Sequence, residues 1–258
     1  MNSNVKSSHA NYMIPDWPVP DCVKSVITLR AKGCSKPPFN DFNLADHVGD
    51  DLLAVLANRK QLLESLNLNS EPIWLDQVHG SRVVYAPEVI SKPSADACYT
   101  NIIGQTCVVL TADCLPVLFC NQNGSKVAAA HAGWRGLCAG ILRKTLSCFS
   151  PNETVLAYLG PAIGPKVFEV GADVLEAFLS GAQNSQHVAL IKLAFKPCDN
   201  GRYFADLYAL ARAELKCAGI EHVYGGLSCT YSQPDKFFSY RRDKITGRNA
   251  SLIWLEKA

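Results

Sequence analysis

The sequence lacks the features of several specialised protein classes. It has no run approaching the roughly 18 consecutive apolar residues that a bilayer-spanning helix needs. Its N-terminus is polar and interrupted by proline, without the apolar segment of a secretory signal. Its formal net charge is only +2, whereas nucleic-acid-binding domains are usually clearly basic. We therefore expect neither a membrane nor a nucleic acid as a partner.

The chain also lacks the cysteine pattern of a disulfide-stapled protein. Its 11 cysteines are odd in number and scattered, and no two of them form a CxxC motif. Together with the polar N-terminus, this pattern indicates a reduced, cytoplasmic protein. Most of the cysteines are then expected to behave as small buried apolar side chains.

No internal repeat and no linker divides the 258 residues, of which 48% are hydrophobic. A single domain with a sizeable core is therefore expected over residues 22–258. Residues 1–21 are expected to form a loose N-terminal arm, which Trp17 and the prolines around it could anchor to the domain.

Hydrophobic periodicity predicts both helices and strands. Leucines recurring near the 3.6-residue period predict a helix that begins at Asp50 or Asp51. Further helices are expected over residues 136–148, 174–179 and 205–218, the last of which is capped by Gly219. Strands are expected over residues 26–30, 73–78, 82–85, 107–110, 115–120, 126–130, 155–159, 222–224 and 250–255. The strands over 73–78 and 82–85 are expected to form a hairpin across Gly80-Ser81.

Three short segments each place a soft metal ligand at a junction between a predicted strand and a loop: His79 in WLDQVHG, Cys114 in TADCLPVLF and His131 in AAAHAGWRG. Two histidines and one cysteine supply three ligands to zinc and leave its fourth position open. The spacing is not that of a zinc finger, and a single His or Cys beside a strand is more often simply packed. Cys114 with either histidine would equally make a thiolate–imidazole nucleophile. Residue types alone leave these alternatives open.

Charged and aromatic residues in nearby motifs are further candidates. Asp96 or Asp113 could orient a ligating histidine, although an Asp in a loop more commonly caps a turn. Arg135 and Arg241-Arg242 could bind a phosphate or carboxylate, although an exposed arginine is commonly only solvated. The aromatic residues that could stack on a flat substrate, and that suit core packing equally well, are Phe237, Phe238 and Tyr240.

Six motifs in order resemble those of a known family: QVHG, SADA, LTADCLPVLF, AAAHAGWRG, GPAIGP and CTYSQPDKFFSYRRDKITGR. They resemble the bacterial YfiH-like family, also called the laccase-domain or polyphenol-oxidase family, which has the mammalian relative FAMIN. The similarity runs from about Asn43 to the C-terminus and leaves the N-terminal arm outside.

The resemblance implies an α+β fold, in which a mixed β-sheet core is flanked by helices on both sides, distantly like cysteine-type toxin deamidases. It implies zinc, in preference to copper, on His79, Cys114 and His131. It also implies phosphorolysis of adenosine, inosine, guanosine and S-methyl-5′-thioadenosine, together with deamination of adenosine. The implied catalytic residues are Cys114, His131, Arg59, Asp96 and Arg242, and the implied substrate-binding residues are Asn43, Arg135 and Tyr240.

Several alternatives accompany this prediction. One is editing of peptidoglycan precursors, and another is amide hydrolysis by a nucleophilic Cys114. Laccase-like oxidation fits poorly, because the chain has six histidines and its two methionines, Met1 and Met13, lie outside the matched motifs. We expect a monomer that binds purine nucleoside and phosphate, with Arg59, Arg242 or a backbone nest holding the phosphate.

Overall fold

The computed structural model describes residues 11–257. Their strands are β1 (Tyr12–Met13), β2 (Val23–Thr28), β3 (Val83–Tyr85), β4 (Ala97–Thr100), β5 (Thr106–Thr111), β6 (Leu115–Asn121), β7 (Val127–Ala132), β8 (Val155–Leu159), β9 (Glu169–Val170), β10 (Phe195–Pro197), β11 (Tyr203–Ala205), β12 (His222–Gly225) and β13 (Asn249–Leu255). Their α-helices are α1 (Leu52–Leu66), α2 (Trp134–Cys138), α3 (Ile141–Leu146), α4 (Ala172–Ser180), α5 (Ser185–Leu193), α6 (Leu207–Cys217) and α7 (Tyr240–Asp243).

The strands form three sheets. A six-stranded sheet has the order β12-β8-β6-β7-β4-β3, in which β12 and β3 pair parallel to their neighbours and the other pairs are antiparallel. An antiparallel four-stranded sheet has the order β1-β2-β13-β5, and a small antiparallel sheet has the order β10-β11-β9.

Successive residues of β6 belong to two different apolar layers. Val117 and Phe119 pack in a cluster with residues of α3 and α6. Leu118 and Cys120 pack in a second cluster with residues of β2, β5 and β13. A third cluster joins β5 and β13 to α1 through Leu62. The two larger sheets therefore face each other and have helices on both outer sides, which confirms the predicted α+β domain with a mixed sheet.

The buried strands and helices α1, α4 and α6 form close to where the sequence predicts them, whereas α5 forms where no helix is predicted. Strands β6, β7 and β8 are buried along their whole length, and such strands read as continuous apolar runs. Helix α1 begins after Asp51, whose carboxylate accepts a hydrogen bond from the N–H of Leu53 at 3.0 Å. Helix α6 ends at Cys217, and Gly219 follows with a φ of +79°.

Two local predictions are wrong. Residues 73–78 form no strand beyond the isolated bridges of Ile73 to Cys107 and of Asp76 to Ser94, and β3 pairs in parallel with β4 instead of closing a hairpin. The predicted helix over 136–148 is two short helices, because Gly140 between them has a φ of +76°, which interrupts an α-helix.

The described part of the N-terminal arm, residues 11–21, packs against the rest of the chain. Strand β1 pairs with β2, and the buried Trp17 donates its indole N–H to Ser25 Oγ at 3.2 Å. The predicted boundary at residue 21 stays a prediction, since residues 1–10 lie outside the described part. None of the helices described has both the length and the apolar character to cross a membrane.

Candidate metal centre

The six-stranded sheet places two of the three predicted ligands side by side. His131 lies on β7 opposite Pro116 of the neighbouring β6, and Cys114 directly precedes β6. His79 reaches the same place from the turn that follows residue 78. The ligand atoms of all three lie within 4.8 Å of one another, and Cys114 Sγ is 3.8 Å from His79 Nε2. His131 is buried, Cys114 is half-buried and His79 is exposed, so the cluster opens to solvent on the His79 side.

Asp96 holds both histidines. Its Oδ1 accepts hydrogen bonds from His131 Nδ1 at 2.8 Å and from the N–H of His79 at 2.9 Å, and its Oδ2 accepts one from the N–H of Gly80 at 2.7 Å. His79 has a φ of +59°, which is uncommon for a non-glycine residue. The carboxylate stabilises this turn and leaves His131 Nε2 to face the cluster. Asp96 is completely buried and contacts the cluster through the two histidines; its predicted catalytic role stays a prediction.

The electrostatics of the cluster favour a charged thiolate. Burial alone would raise the pKa of Cys114, but the charge and hydrogen bonds of His131 and His79 lower it below that of a free thiol. Burial alone would lower the pKa of His131, but the Cys114 thiolate and Asp96 raise it. Burial alone would raise the pKa of Asp96, but the hydrogen bond and charge of His131, together with the backbone hydrogen bonds from Gly80 and His79, lower it. A thiolate is the form of cysteine that binds metals and the form that acts as a nucleophile.

Gly133 lets the turn after β7 approach the ligands. A Cβ atom at this position would lie 2.9 Å from Cys114 Sγ and 3.2 Å from His79 Cδ2. Real Cβ atoms do not come that close to a sulfur, so any other residue would displace a ligand. The glycine of the AAAHAGWRG motif is therefore required by the close packing of the cluster.

Asp113 ties the turn that carries Cys114 to the last motif of the chain. It is buried with a φ of +91°, its Oδ1 accepts from Thr230 Oγ1 and its Oδ2 accepts from the N–H of Arg241, each at 2.6 Å. Its carbonyl accepts from the N–H of Ile163 in GPAIGP at 2.9 Å. Three of the ordered motifs therefore converge on one side of Cys114.

Arg242, predicted to be catalytic, is fully engaged within the protein. Its guanidinium donates to the carbonyls of Thr230, Tyr231 and Phe237 and to both carboxylate oxygens of Asp243. These contacts use all five of its N–H donors. Arg242 therefore stabilises the loop between β12 and α7, and no donor is left for a substrate phosphate.

Two other predicted residues have roles in the loop before α1. The Asn43 side chain is fully buried; its Oδ1 accepts from the backbone N–H groups of Ala45 and Arg248, and its Nδ2 donates to Ala45 and Asp50. These bonds position the backbone of the loop and of Arg248, and the predicted substrate-binding role of Asn43 stays a prediction.

Arg59 likewise contacts protein groups. Its Nε donates to the carbonyl of Leu44 at 2.9 Å, its guanidinium carbon lies 3.9 Å from the centre of the Trp74 ring, and its Nη2 is 3.5 Å from Asp46 Oδ2. None of these contacts involves the three ligands. Its predicted catalytic role stays a prediction.

Of the remaining candidates, Arg135 and Tyr240 face solvent, whereas Phe237 and Phe238 are buried in the core. Arg135 is exposed on α2, with its guanidinium carbon 4.3 Å from the centre of the Trp134 ring. Tyr240 is 54% exposed at the start of α7, and its ring lies 6.0 Å from the guanidinium carbon of Arg248. Arg248 is a residue that sequence reasoning missed. Its only signal is its place at the end of the motif that closes with ITGR.

The donor set fits a tetrahedral zinc site. Zinc bonds of about 2.3 Å to sulfur and about 2.1 Å to nitrogen, at a tetrahedral angle, separate the two atoms by about 3.6 Å. The 3.8 Å from Cys114 Sγ to His79 Nε2 agrees with that separation. Among residues 11–257 this is the one group of three or more His, Cys, Asp or Glu side chains arranged to share a metal ion.

Comparison with known proteins identifies the family. Residues 24–256 match the family described as multi-copper polyphenol oxidoreductase laccase. "Purine nucleoside phosphorylase YfiH" of Escherichia coli is 50% identical over 94% of this chain and 98% of its own length, and "Purine nucleoside phosphorylase PA4543" of Pseudomonas aeruginosa is 47% identical over 95% and 98%. The crystal structure of Neisseria meningitidis protein NMB0706 superposes with a TM-score of 0.89 at 46% identity, covering 96% of this chain and 100% of that one. The chain therefore belongs to this YfiH-like, laccase-domain family, as its motifs predict.

Proposed function

We propose that this protein is a purine nucleoside phosphorylase whose active site is built on His79, Cys114 and His131, with zinc as the metal. The observation that carries the proposal is the convergence of these three side chains on one solvent-facing centre. It occurs in a chain that is 47% to 50% identical, over nearly its whole length, to proteins named purine nucleoside phosphorylase. The proposed substrates are adenosine, inosine, guanosine and S-methyl-5′-thioadenosine.

Zinc, when bound, would supply a Lewis acid at this centre. The protein's own part is to hold the ligands in place. Asp96 keeps His131 in the tautomer that bears its proton on Nδ1, and the same carboxylate fixes the backbone of His79. Such support keeps the ligand geometry constant while a substrate enters from the exposed His79 side.

Phosphorolysis forms a bond between a phosphate oxygen and C1′ of the ribose and breaks the bond from C1′ to N9 of the purine. The electron pair of the broken bond leaves with N9, and a proton must reach the base. Tyr240 offers an exposed aromatic face on which a purine could stack, and Arg135 lies on the helix that begins just after Gly133. We propose both as substrate-binding residues.

We further propose that the centre deaminates adenosine. In that reaction the oxygen of a water molecule bonds to C6 of the purine, and the C6 amino group leaves as ammonia, so adenosine and water give inosine and ammonia. The reaction needs no phosphate. It can therefore be separated from phosphorolysis by leaving phosphate out of the assay.

Metal analysis followed by nucleoside turnover tests the proposal. We expect one zinc per chain and, with inosine as substrate, release of hypoxanthine that requires phosphate. Cys114→Ala and His131→Ala should abolish that release, whereas Cys34→Ala, which removes an exposed thiol, should not. Stoichiometric copper would refute the choice of metal. Base release that survives complete metal removal would refute the metal-dependent mechanism.

One observation favours a second candidate function. The lowered pKa of Cys114 beside two imidazoles is also the arrangement of a cysteine hydrolase that attacks amide bonds. In that case the metal-free protein would hydrolyse an amide, such as one in a peptidoglycan precursor, and added zinc would inhibit it. Turnover of nucleosides only, and only with metal, would exclude this function.

We also propose a cytoplasmic monomer with an N-terminal arm that ends at about residue 21. Light scattering coupled to size-exclusion chromatography tests the oligomeric state, because a dimer would double the mass of 28.1 kDa. Fractionation of cells tests the location. Limited proteolysis tests the arm boundary: cleavage that reaches residue 21 is the expected result, and protection of residues 11–21, which pack against the domain, would contradict it.

A further inference from the structure

Arg248 lies beside the chain segment that carries Cys114 and has no part in the chemistry proposed above. Arg248 directly precedes β13, whose first residue, Asn249, pairs with Thr111 at the end of β5. Continuing this antiparallel register places Arg248 opposite Ala112, two residues before Cys114. Helix α7 closes the same region from the other side, since Tyr240 lies against the Arg248 guanidinium.

Hydrogen bonds hold both the backbone and the side chain of Arg248. The backbone N–H donates to the Oδ1 of the buried Asn43 at 2.9 Å. The side-chain Nη1 donates to the carbonyls of Thr246 and Gly247 at 2.8 and 3.0 Å. The side chain is therefore anchored at one nitrogen. In the described part of the chain, no hydrogen bond uses its Nε or Nη2 donors, and no carboxylate forms a salt bridge with it.

The half-buried guanidinium has negative charge near it but no direct anionic partner. Burial lowers the pKa of Arg248, while the charges of Cys114 and Asp113 act in the opposite direction. Both oxygens of Asp113 are already engaged, by Thr230 and by the backbone of Arg241. An arginine fork in such surroundings is suited to a tetrahedral oxyanion, which it can bind through two parallel hydrogen bonds.

We propose that Arg248 binds the phosphate co-substrate, with Nε and Nη2 donating to two phosphate oxygens beside Cys114. The inference rests on the proposed phosphorylase function and assigns the phosphate to a residue that the sequence did not single out. It replaces Arg242, whose donors are all occupied. Asn43 is then a positioning residue that fixes the backbone from which Arg248 reaches the site.

The test is equilibrium binding of inorganic phosphate to the zinc-loaded protein, measured by calorimetry and by ³¹P NMR. The variants are Arg248→Met and Arg248→Lys. The control is Arg202→Met, because Arg202 pairs with Glu169 on the small three-stranded sheet. Loss of two charge-assisted hydrogen bonds predicts that the Kd for phosphate rises at least about 100-fold in Arg248→Met. In Arg248→Lys, which keeps the positive charge but not the two parallel N–H donors, the Kd for phosphate should rise about tenfold.

The kinetics of inosine phosphorolysis give a second measure of phosphate binding by Arg248. The KM for phosphate should rise in parallel with the Kd, while the KM for inosine changes less than threefold and zinc content stays the same. If Arg248 only compensates the charge of Asp113, Arg248→Met will lose stability or zinc while phosphate affinity is unchanged, which overturns the proposal. If Arg248→Met does not fold, Arg248→Lys gives the same test.

Failure of the wider function can be told apart from failure of this inference. A wild-type protein that binds phosphate through Arg248 but releases no base from any nucleoside would refute the phosphorylase function alone. A wild-type protein that phosphorolyses inosine, with a KM for phosphate that Arg248→Met leaves unaltered, would refute the role of Arg248 alone. A wild-type protein that binds no phosphate would refute that role as well.

Discussion

Replacing Asp96 by asparagine is the most informative single substitution in the candidate metal centre. The carboxylate is completely buried and accepts three hydrogen bonds, from His131 Nδ1 and from the N–H groups of His79 and Gly80. Asparagine has nearly the same shape, but one of its two terminal atoms is an NH₂ group that only donates. At least one N–H that now points at a carboxylate oxygen would then point at another donor.

The expected loss of stability in Asp96→Asn follows from the hydrogen bonds that the substitution removes. A hydrogen bond to a charged group contributes about 1.5–3 kcal/mol, and a buried donor left without a partner costs about 1–3 kcal/mol. We therefore expect Asp96→Asn to lower the free energy of unfolding by about 3 kcal/mol. We also expect zinc affinity to fall about 10- to 100-fold, as is usual when the partner of a ligating histidine is removed.

Urea unfolding followed by tryptophan fluorescence measures the first quantity, and competition with a chelator measures the second. Asp173→Asn is the control, because Asp173 is an exposed carboxylate in the first turn of α4. An Asp96→Asn protein that unfolds within 0.5 kcal/mol of wild type and binds zinc within threefold of it would refute the positioning role. Loss of stability without loss of zinc affinity would show that the carboxylate supports only the turn.

Three further predictions test other parts of the structure. Gly133→Ala should remain folded but lower zinc affinity at least tenfold in a chelator competition, since the new Cβ would lie 2.9 Å from Cys114 Sγ; unchanged affinity would contradict the tight packing. In the metal-free protein at pH 7, iodoacetamide should modify Cys114, whose pKa is lowered to about 6, faster than Cys34 by mass spectrometry, and zinc should protect it. For Asp46, burial alone would raise the pKa, but the hydrogen bond from Lys92 and neighbouring positive charges lower it to about 2. Because this pKa is below the unfolded value, Asp46→Asn should cost about 1 kcal/mol above pH 4, after allowing for solvent screening, and the difference should vanish as pH falls toward 2; a loss independent of pH would contradict it.

The parts of the fold that the sequence predicts are those in which burial is continuous. Strands β6, β7 and β8 are covered on both faces, so their apolar runs are unbroken and easy to find. The pairing of β3 could not be found in this way, because its partner is chosen by contacts outside the segment. The carboxylate of Asp96 accepts hydrogen bonds from the N–H groups of His79 and Gly80, so a residue distant in sequence holds the turn at which the hairpin was predicted.

Helix α1 shows a second reason why pattern alone is insufficient. Its exposed residues include Leu52, Leu53 and Leu56, whereas Asn58 and Arg59 are buried. Asn58 Nδ2 donates to the carbonyls of residues 41 and 43, so its polar side chain satisfies backbone groups of the loop that precedes the helix. A buried polar residue of this kind is matched to one particular loop conformation, which hydrophobic periodicity does not encode.

The metal ligands of the site can be predicted from the sequence, whereas the roles of its arginines cannot. Ligand chemistry belongs to the residue type, so two imidazoles and a thiol in ordered motifs indicate a metal centre before any contact is known. The function of an arginine depends instead on which of its five donors are already used. Arg242 and Arg248 lie in the same motif, yet Arg242 is fully bonded to its own loop, whereas Arg248 uses only the two N–H donors of Nη1 and leaves three, on Nε and Nη2, unused. Only the folded chain distinguishes them, and this distinction moves the expected phosphate site from Arg242 to Arg248.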